Sequence, residues 1–393
     1  EYTGESSLGG SGISIQNTII ENGNQLNLFL TGCDFIENKA NRGGAFAIQN
    51  NGNIDDLEFE GCTFMNNEAQ SEGGSLYFSS NQEVIINNCE FSSNVAATTG
   101  GSVHFEIQNF DPQITNSLFK LDHTTSGEGN SIYVTDTSEN RDLILQNNEF
   151  IDCGSFGTVI YSNNKRSEIE FNSIIFTQIY DSCRGLSLVN PSSATVSNCL
   201  FSKCSPKGTN ELGGGLFYNC DGKDKLIIQS CIFDYCNATE GSALYLTPYI
   251  IEYTNSISLE NNTITNCLGS QHLVYIEFKQ PILQFTINHW SFFNNKASNT
   301  EDGGASGIYI INNDHSPYNL TFQYCNWTSN KSPNVGGAFS LGEVPTFRSV
   351  NLLFDYCTFL SNQGLGDHGG ALWFKMESTI LINNCTFTSN KAM

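Results

Sequence analysis

The sequence has few prolines, few basic residues and no long apolar run. Its 393 residues include 8 prolines and only 17 lysines and arginines, against 40 aspartates and glutamates. The resulting net charge of −23 disfavours binding to nucleic-acid phosphates and to anionic lipid. No stretch approaches the roughly 18 consecutive apolar residues of a membrane-spanning helix, and no stretch shows helical periodicity. The absences exclude a nucleic-acid-binding protein and predict no membrane span in this chain.

What the chain does contain is one short pattern that recurs along its length. In one copy, Cys33-Asp-Phe35 and Asn38 precede Gly43-Gly44-Ala45, after which apolar residues alternate with others. The aromatic position recurs with a mean spacing of about 29 residues, a period typical of solenoids, propellers and repeat arrays. We call the residue at this position the aromatic mark of its copy. The 13 marks are Phe35, Phe64, Phe91, Phe119, Phe150, Phe176, Phe201, Phe233, Ile264, Phe292, Trp327, Phe359 and Phe387.

Each copy predicts three short strands separated by bends. Two apolar residues stand seven and five positions before the mark, as Leu57 and Phe59 do before Phe64, and so share one face of a strand. Cys-x-Phe predicts a second strand, and the residues after Gly-Gly predict a third. Such a unit cannot bury its apolar face alone, but stacked copies can. The sequence therefore predicts an all-β fold, a right-handed parallel β-helix of about 13 rungs. A propeller would need stronger hairpin signals.

Equivalent residues of successive rungs are expected to stack inside the solenoid. The marks would form an aromatic ladder, and a glycine at the corner would adopt a positive φ. Buried amides would hydrogen-bond along the axis, which satisfies groups that are otherwise costly to bury. The amide positions are Asn38, Asn67, Asn94, Asn295, Asn330, Asn362 and Asn390.

The pairing of Phe-x-x-Asn with Gly-Gly-Ala-Φ resembles the repeat of polymorphic outer membrane proteins, which are bacterial surface adhesins. Similar repeats occur in large surface proteins of some protists. The likeness covers nearly the whole chain, is close at Phe35–Phe105 and Trp327–Phe374, and is degraded between Phe119 and Val274. It implies a right-handed β-helix displayed outside a cell, in adhesion or surface architecture.

Cysteines and glycosylation sequons indicate a secretory route. The chain has 14 cysteines, many for a reducing compartment. Stacked cysteines, such as Cys204, Cys236 and Cys267, would be close enough for disulfides, but their parallel Cβ vectors would strain the bonds. Buried free thiols are the alternative, and the sequence leaves both open. Zinc is not expected, because Cys-x-x-Cys is absent and histidine is rare. The sequon residues are Asn237, Asn261, Asn319, Asn326 and Asn384.

The sequence does not predict an active site. A polysaccharide lyase or hydrolase would need carboxylates on adjacent rungs, with a basic residue beside them in a lyase. Asp55-Asp56 is expected in a loop, and Asp367-His368 precedes the corner glycines of a repeat. The chain is therefore predicted not to be an enzyme, without cofactor or metal; a carbohydrate-active enzyme without a recognisable signature is the alternative. The arginines considered are dispersed: Arg42, Arg141, Arg166, Arg184 and Arg348.

Recognition is expected on the outward side of the third strand, where most rungs carry an aromatic residue. Stacking alone would stabilise neighbouring strands, whereas an exposed aromatic stripe would indicate contact with sugar rings or another chain. The candidate binding stripe consists of Tyr77, His104, Tyr133, Phe217, Tyr245, Tyr275, Tyr309 and Trp373.

These observations predict a non-catalytic structural or adhesive protein, located outside the cell or on its surface. Residues 1–393 are expected to form one continuous β-helix segment of a longer chain or assembly, because neither end shows an amphipathic cap. The expected partners are glycans or other protein chains, which would associate end to end or laterally.

Overall fold

The computed structural model describes most of the chain as strands joined by turns. The described residues are 12–16, 26–49, 54–80, 83–107, 111–136, 142–154, 157–163, 168–177, 179, 183–206, 212–221, 225–249, 257–269, 272–278, 282, 284–297, 308–312, 318–333, 336–341, 350–366, 369–374 and 379–393. They contain no helix, and hence none that could span a membrane. They divide into two compact units: unit 1, Glu1–Ser193, and unit 2, Ala194–Met393.

Unit 1 is built from three parallel sheets, named here by the order in which the chain visits them within a turn. Sheet 1 contains Leu26–Thr31, Ile54–Glu60, Glu83–Asn87, Gln113–Thr115, Leu143–Gln146 and Glu168–Asn172. Sheet 2 contains Asp34–Ile36, Thr63–Met65, Glu90–Ser92, Leu118–Lys120, Glu149–Ile151 and Ile175–Thr177. Sheet 3 contains Ile13–Gln16, Phe46–Gln49, Leu76–Ser80, Val103–Ile107, Ile132–Asp136, Thr158–Asn163 and Arg184–Val189. Two-residue strands follow sheet 2 at Lys39–Ala40, Glu68–Ala69, Val95–Ala96 and His123–Thr124.

Unit 2 repeats the same three-sheet arrangement. Sheet 1 contains Ser193–Ser197, which begins at the boundary, then Lys225–Gln229, Ile257–Glu260, Gln284–Asn288, Tyr318–Gln323, Val350–Asp355 and Thr379–Asn383. Sheet 2 contains Leu200–Ser202, Ile232–Asp234, Thr263–Thr265, Ser291–Phe293, Asn326–Thr328, Thr358–Leu360 and Thr386–Thr388. Sheet 3 strands are Leu216–Asn219, Leu244–Thr247, Val274–Phe278 and Ile308–Asn312, with a separate pair Phe339–Leu341 and Leu372–Phe374. The two-residue strands are Asn237–Ala238, Leu268–Gly269, Lys296–Ala297, Lys331–Ser332, Gln363–Gly364 and Lys391–Ala392.

The predicted parallel β-helix with three strands per turn is thus confirmed, and so is its aromatic ladder. Phe64 pairs in register with Phe35 and Phe91, and its ring lies 5.0 and 4.8 Å from theirs. In unit 2, Trp327 stacks on Phe359 at 4.7 Å. These rings are buried because each strand turns one face inward, where the copies above and below cover it.

The turns place single residues in the left-handed backbone region at fixed positions. The corner before each sheet 2 strand holds one such residue, for example Gly61 with φ 60° or Asn88 with φ 54°. Asparagine and glycine tolerate this region better than most residues. We call this position the entry corner.

The two adjacent glycines are required for different reasons. Gly43, the first, has the expected positive φ of 56°. Gly44, the second, does not. A Cβ on Gly44 would lie 2.8 Å from the Glu68 backbone nitrogen and even closer to the Gly74 carbonyl oxygen. The second glycine is therefore needed because neighbouring turns approach closely.

Asparagine and cysteine share one structural role inside the solenoid: both donate to a carbonyl of the preceding turn. Asn67 Nδ2 donates to the Phe35 carbonyl at 2.9 Å, and Cys236 Sγ donates to the Phe201 carbonyl at 3.4 Å. We call the position three residues after the aromatic mark the inner donor position. The cysteine position two residues before the mark works similarly, since Cys62 Sγ donates to the Leu30 carbonyl at 3.2 Å.

All 14 cysteines are free thiols in this structure. The disulfide alternative is therefore not what the structure contains. Twelve of the thiols are buried, whereas Cys33 and Cys385 are partly exposed. The thiol positions act as hydrogen-bond donors to backbone carbonyls, which explains why cysteine and asparagine exchange along the repeat.

The turn at the C-terminal end of the sequence is less covered than the others. Phe387 stacks on Phe359 at 4.6 Å but is 46% exposed, whereas Phe359 is fully buried. No strand among the described residues pairs with the other side of Thr386–Thr388. The expectation that the solenoid continues or is covered by another chain stays a prediction.

Candidate functional site on the outer side of sheet 3

The candidate binding stripe lies on sheet 3, and its described side chains range from fully buried to partly exposed. In unit 1, Tyr77 is fully buried and His104 is 2% exposed. Ring centroids are 5.3 Å apart from Tyr77 to His104 and 5.0 Å from His104 to Tyr133. The His104 and Tyr133 rings are stacked, whereas the Tyr77 ring is tilted by 32° relative to that of His104, and Tyr133 remains partly exposed.

The stripe of unit 2 has the same organisation. Phe217 and Tyr245 stack at 5.4 Å, and Tyr245 and Tyr275 at 4.5 Å. Tyr275 is 8% exposed, so it too is buried rather than displayed. Tyr309 pairs with Tyr275 through its backbone, and its side chain lies outside the described part of the chain. Trp373 is half-buried in the strand that pairs with Phe339–Leu341.

Sequence reasoning missed Tyr161, which extends the unit 1 stack. Its ring lies 5.1 Å from that of Tyr133. The strand Thr158–Asn163 lacks the Gly-Gly-Ala signal before it, so its register could not be read from the repeat. Register with Ile132–Asp136 places Tyr161 directly opposite Tyr133.

A cluster of charged side chains surrounds the first two rings of this stack. Arg42 Nε lies 2.8 Å from Glu72 Oε2, and Arg42 Nη1 donates to the Tyr77 hydroxyl at 3.2 Å. The guanidinium carbon lies 5.0 Å from the Tyr77 ring centroid. We call Arg42, Glu72, Tyr77, His104 and Glu106 the His104 cluster.

The chemistry of the His104 cluster is centred on two carboxylates and one imidazole. One oxygen each from Glu72 and Glu106 and one nitrogen of His104 all lie within 4.8 Å of one another. Burial raises the pKa of Glu72, and the Glu106 charge raises it further, while Arg42 opposes this. Burial, with the Arg42 charge, lowers the pKa of His104 to about 3, so its imidazole is neutral at physiological pH.

The two ring nitrogens of His104 have different surroundings. Nδ1 lies 2.9 Å from Thr99 Oγ1. Nε2 is buried and has no hydrogen-bond partner among the described residues. A buried polar atom without a partner costs free energy, so this nitrogen is the least explained feature of the cluster.

The second described arginine, Arg184, also lies near an acidic residue on this side of unit 1. Burial lowers its pKa to about 10, and the Glu128 charge opposes that shift. Its Nη1 donates to Thr158 Oγ1 at 3.3 Å. Arg141, Arg166 and Arg348 lie outside the described residues.

The sequence also singled out Asp55-Asp56 and Asp367-His368. Asp55 and Asp56 are expected in a loop but lie within the strand Ile54–Glu60. Asp367 and His368 are outside the described residues. The position of Glu72 and Glu106 in the repeat could have identified them. Glu72 directly precedes a corner glycine, and Glu106 stands two residues after an outward aromatic residue.

A second aromatic feature, in unit 2, is exposed. His289, Tyr324 and Tyr356 occupy the entry corner of three successive turns, with φ of 54°, 53° and 51°. Their rings stack at 4.9 and 5.2 Å, yet Tyr324 is 42% and Tyr356 51% exposed. We call these three residues the corner stack. The other entry corners hold only glycine, asparagine or serine: Gly32, Gly61, Asn88, Asn116, Asn147, Ser173, Asn198, Ser230, Asn261 and Asn384.

The five sequon asparagines are all exposed, whereas the ladder asparagines are buried or, at Asn38 and Asn390, partly buried. Asn319 and Asn326 lie in strands on either side of Tyr324, and Asn384 occupies the entry corner that follows Tyr356 in sequence. The structure thus leaves every predicted glycosylation site accessible.

Comparison with known proteins does not assign the chain to a group. No family model matches it, and neither a curated protein nor a solved structure shows significant similarity to it. The parallel β-helix is established by the structure, whereas the resemblance to the polymorphic outer membrane protein repeat stays a prediction.

Proposed function

We propose that this chain is a non-catalytic β-helix segment of an extracellular structural or adhesive glycoprotein, and that the corner stack is its recognition surface. The corner stack is the observation that carries the proposal. Aromatic side chains in the left-handed region are strained, and such strain is typically retained where it serves a function. Three exposed aromatics in successive turns also form an apolar patch of the kind that marks contact sites.

The repeating residues support a scaffold role. Aromatic marks, inner donors and paired glycines are all engaged between neighbouring turns, as the contacts of Phe64, Asn67 and Gly44 show. Recognition is therefore left to side chains that differ from the repeat. The exposed sequons and the acidic surface favour an extracellular location and neutral glycan or protein partners.

The test replaces the corner stack by the residue that other entry corners use. The triple variant His289→Asn, Tyr324→Asn and Tyr356→Asn should keep or raise the thermal stability, because asparagine suits this backbone conformation. Binding would be measured on immobilised neutral polysaccharides, with the wild-type protein as reference. Binding that is lost in the stable triple variant supports the proposal. Absence of binding by the wild type, or unchanged binding by the variant, would overturn the recognition role.

A carbohydrate-active enzyme is the second candidate, and the His104 cluster is the observation that favours it. Two nearby carboxylates, one with a raised pKa, are the groups that acid–base hydrolysis of a glycoside requires. The same polysaccharides would be assayed for new reducing ends or unsaturated products. Turnover that disappears in Glu72→Gln would establish this function in place of the non-catalytic one.

A further inference from the structure

We propose that Glu72, His104 and Glu106 form a binding site for one divalent transition-metal ion, with zinc as the ion that best fits the donors. This inference is independent of the proposed recognition role. It rests on two separate observations: the convergence of the three ligand atoms, and the buried imidazole nitrogen that lacks a protein partner.

The geometry is close to that of a three-residue zinc site. Zinc binds histidine nitrogen and carboxylate oxygen at about 2.0–2.2 Å, so ligand atoms around a tetrahedral ion lie about 3.4 Å apart. The three atoms of the cluster already lie within 4.8 Å of one another. Side-chain rotations of Glu72 and Glu106, both of which are only partly buried, can close that difference.

The contacts around the ligands resemble the outer shell of a metal site. A metal-binding histidine usually has its second nitrogen held by another group, which fixes the tautomer. Thr99 Oγ1 lies 2.9 Å from His104 Nδ1 and leaves Nε2 to the ion. The ring is fixed further by stacking between Tyr77 and Tyr133. The Glu72 side chain is 21% exposed, which gives the ion access from solvent.

Unit 2 contains a natural comparison in which, of the three proposed ligands, only the histidine differs. Glu240 directly precedes a corner glycine, as Glu72 does, and Glu277 follows an outward aromatic by two residues, as Glu106 does. Tyr275 takes the place of His104, and its hydroxyl donates to Glu277 Oε2 at 3.2 Å. In unit 2 the tyrosine hydroxyl thus hydrogen-bonds a carboxylate, whereas in unit 1 the histidine places a buried nitrogen without a protein partner beside two carboxylates.

The donor set selects the class of ion. Calcium and magnesium prefer oxygen ligands alone, whereas imidazole together with carboxylates suits zinc and its neighbours in the first transition row. The partial burial of the cluster also favours an ion that binds few waters. We therefore expect Zn²⁺ and Co²⁺ to bind, and Ca²⁺ not to compete.

The experiment titrates the chelator-treated protein with Zn²⁺ alone by calorimetry and records the visible spectrum with Co²⁺. Two variants should lose zinc binding, and we call them the loss variants. His104→Tyr introduces the residue that unit 2 has at this position, and Glu106→Gln removes the negative charge while keeping the shape of the side chain. The matched control is Glu277→Gln in unit 2. Circular dichroism of each variant checks that the β-helix is retained.

We expect one equivalent of Zn²⁺ that excess Ca²⁺ does not displace. Both loss variants should reduce the affinity by more than about 100-fold, and Glu277→Gln should leave it unchanged. Thr99→Val should reduce it by about 10–100-fold, the effect typical of losing an outer-shell partner. Absence of zinc binding, or binding that survives in a folded Glu106→Gln protein, would overturn the site.

Discussion

At the scale of single residues, the inner donor position shows how one side chain adapts to a fixed task. Asn94 donates to the Phe64 carbonyl at 3.0 Å and also binds Asp122 Oδ1 through both its amide groups, at 2.9 and 3.1 Å. Asp122 occupies the next inner donor position, where a carboxylate has no proton to donate. Its Oδ2 has no partner among the described residues. Only a protonated Asp122 could donate to the Phe91 carbonyl, as the ladder pattern requires.

The first prediction concerns the pH dependence that Asp122 imposes on stability. Burial raises its pKa to about 7, against an ordinary value near 3.9 in the unfolded chain. The folded state therefore retains a proton that the unfolded state releases. Below about pH 4 the Asp122 carboxyl does not lower the free energy of unfolding. Between pH 4 and 7 it lowers that free energy progressively, and above pH 7 the loss reaches about 4 kcal/mol. Asp122→Asn should abolish this pH-dependent loss of stability.

Urea unfolding of both proteins from pH 4 to pH 8 measures the effect. The variant should be more stable than the wild type at pH 8 and nearly equal to it at pH 4. The reverse substitution one turn earlier, Asn94→Asp, should introduce a new loss of stability toward high pH. A difference between Asp122→Asn and wild type that does not change with pH would contradict this account.

The second prediction distinguishes glycines that are required because neighbouring turns approach closely from glycines that adopt a positive φ. Gly44→Ala should destabilise the protein by about 1–3 kcal/mol, as overpacking does, because the added methyl group meets the backbone of the next turn. Gly61→Asn serves as the control, since a Cβ there would meet only Asn88 Nδ2, at an ordinary 3.9 Å, and Asn88 itself occupies the equivalent corner. Thermal unfolding should show a clear loss for the first variant and almost none for the second. Equal effects would mean that close approach of the turns is not what selects Gly44.

At the scale of elements, thiols and amides form columns that follow the strands. The third prediction concerns their reactivity. Cys33 and Cys385, which are partly exposed, should react with a thiol reagent in the native protein. The 12 buried cysteines should react only in denaturant, because all are packed inside the protein and ten of them donate to backbone carbonyls. Counting labelled thiols by mass spectrometry with and without denaturant provides the measurement, and rapid native labelling of all 14 would contradict the structure.

The elements also show why the fold could be predicted from sequence more fully than the site. The apolar pair, the aromatic mark and the glycine pair recur with fixed spacing, so their period alone identifies stacked strands. The direction of a strand side chain follows from alternation, and Tyr77 does lie on the outward side. Its burial does not follow, because Arg42, one turn earlier, and its stacking partner His104, one turn later, cover it. Contacts between different turns decide exposure, and no local pattern encodes them.

The same limit explains why the His104 cluster was missed. Glu72 and Glu106 are 34 residues apart in sequence, and neither belongs to the repeat motif. They meet because parallel pairing brings Tyr77 and His104 into register on adjacent strands. The corner stack, by contrast, could have been found by aligning the residues just before each Cys-x-Phe position and noting the change from asparagine to aromatic.

At the scale of the whole molecule, the fourth prediction concerns removal of one complete turn from unit 1. Deleting residues 62–88 joins Gly61 to Cys89 at equivalent entry corners, so that Phe35 would stack on Phe91. The shortened chain should fold, because each turn contacts mainly its neighbours. Its β-sheet circular dichroism should be retained. The deletion also removes Glu72 and Tyr77, so zinc binding should be lost. Deleting half a turn, residues 62–74, should prevent correct folding of unit 1.

That chain length can change in whole periods has a consequence for inheritance. A gene encoding such a protein can gain or lose one repeat by recombination between similar copies, and by the fourth prediction the product should still fold. Each entry corner can then diverge by itself, as illustrated by Tyr324, which stands where several other entry corners hold asparagine. New surfaces can arise one codon at a time, while the buried columns keep the register of the remaining copies.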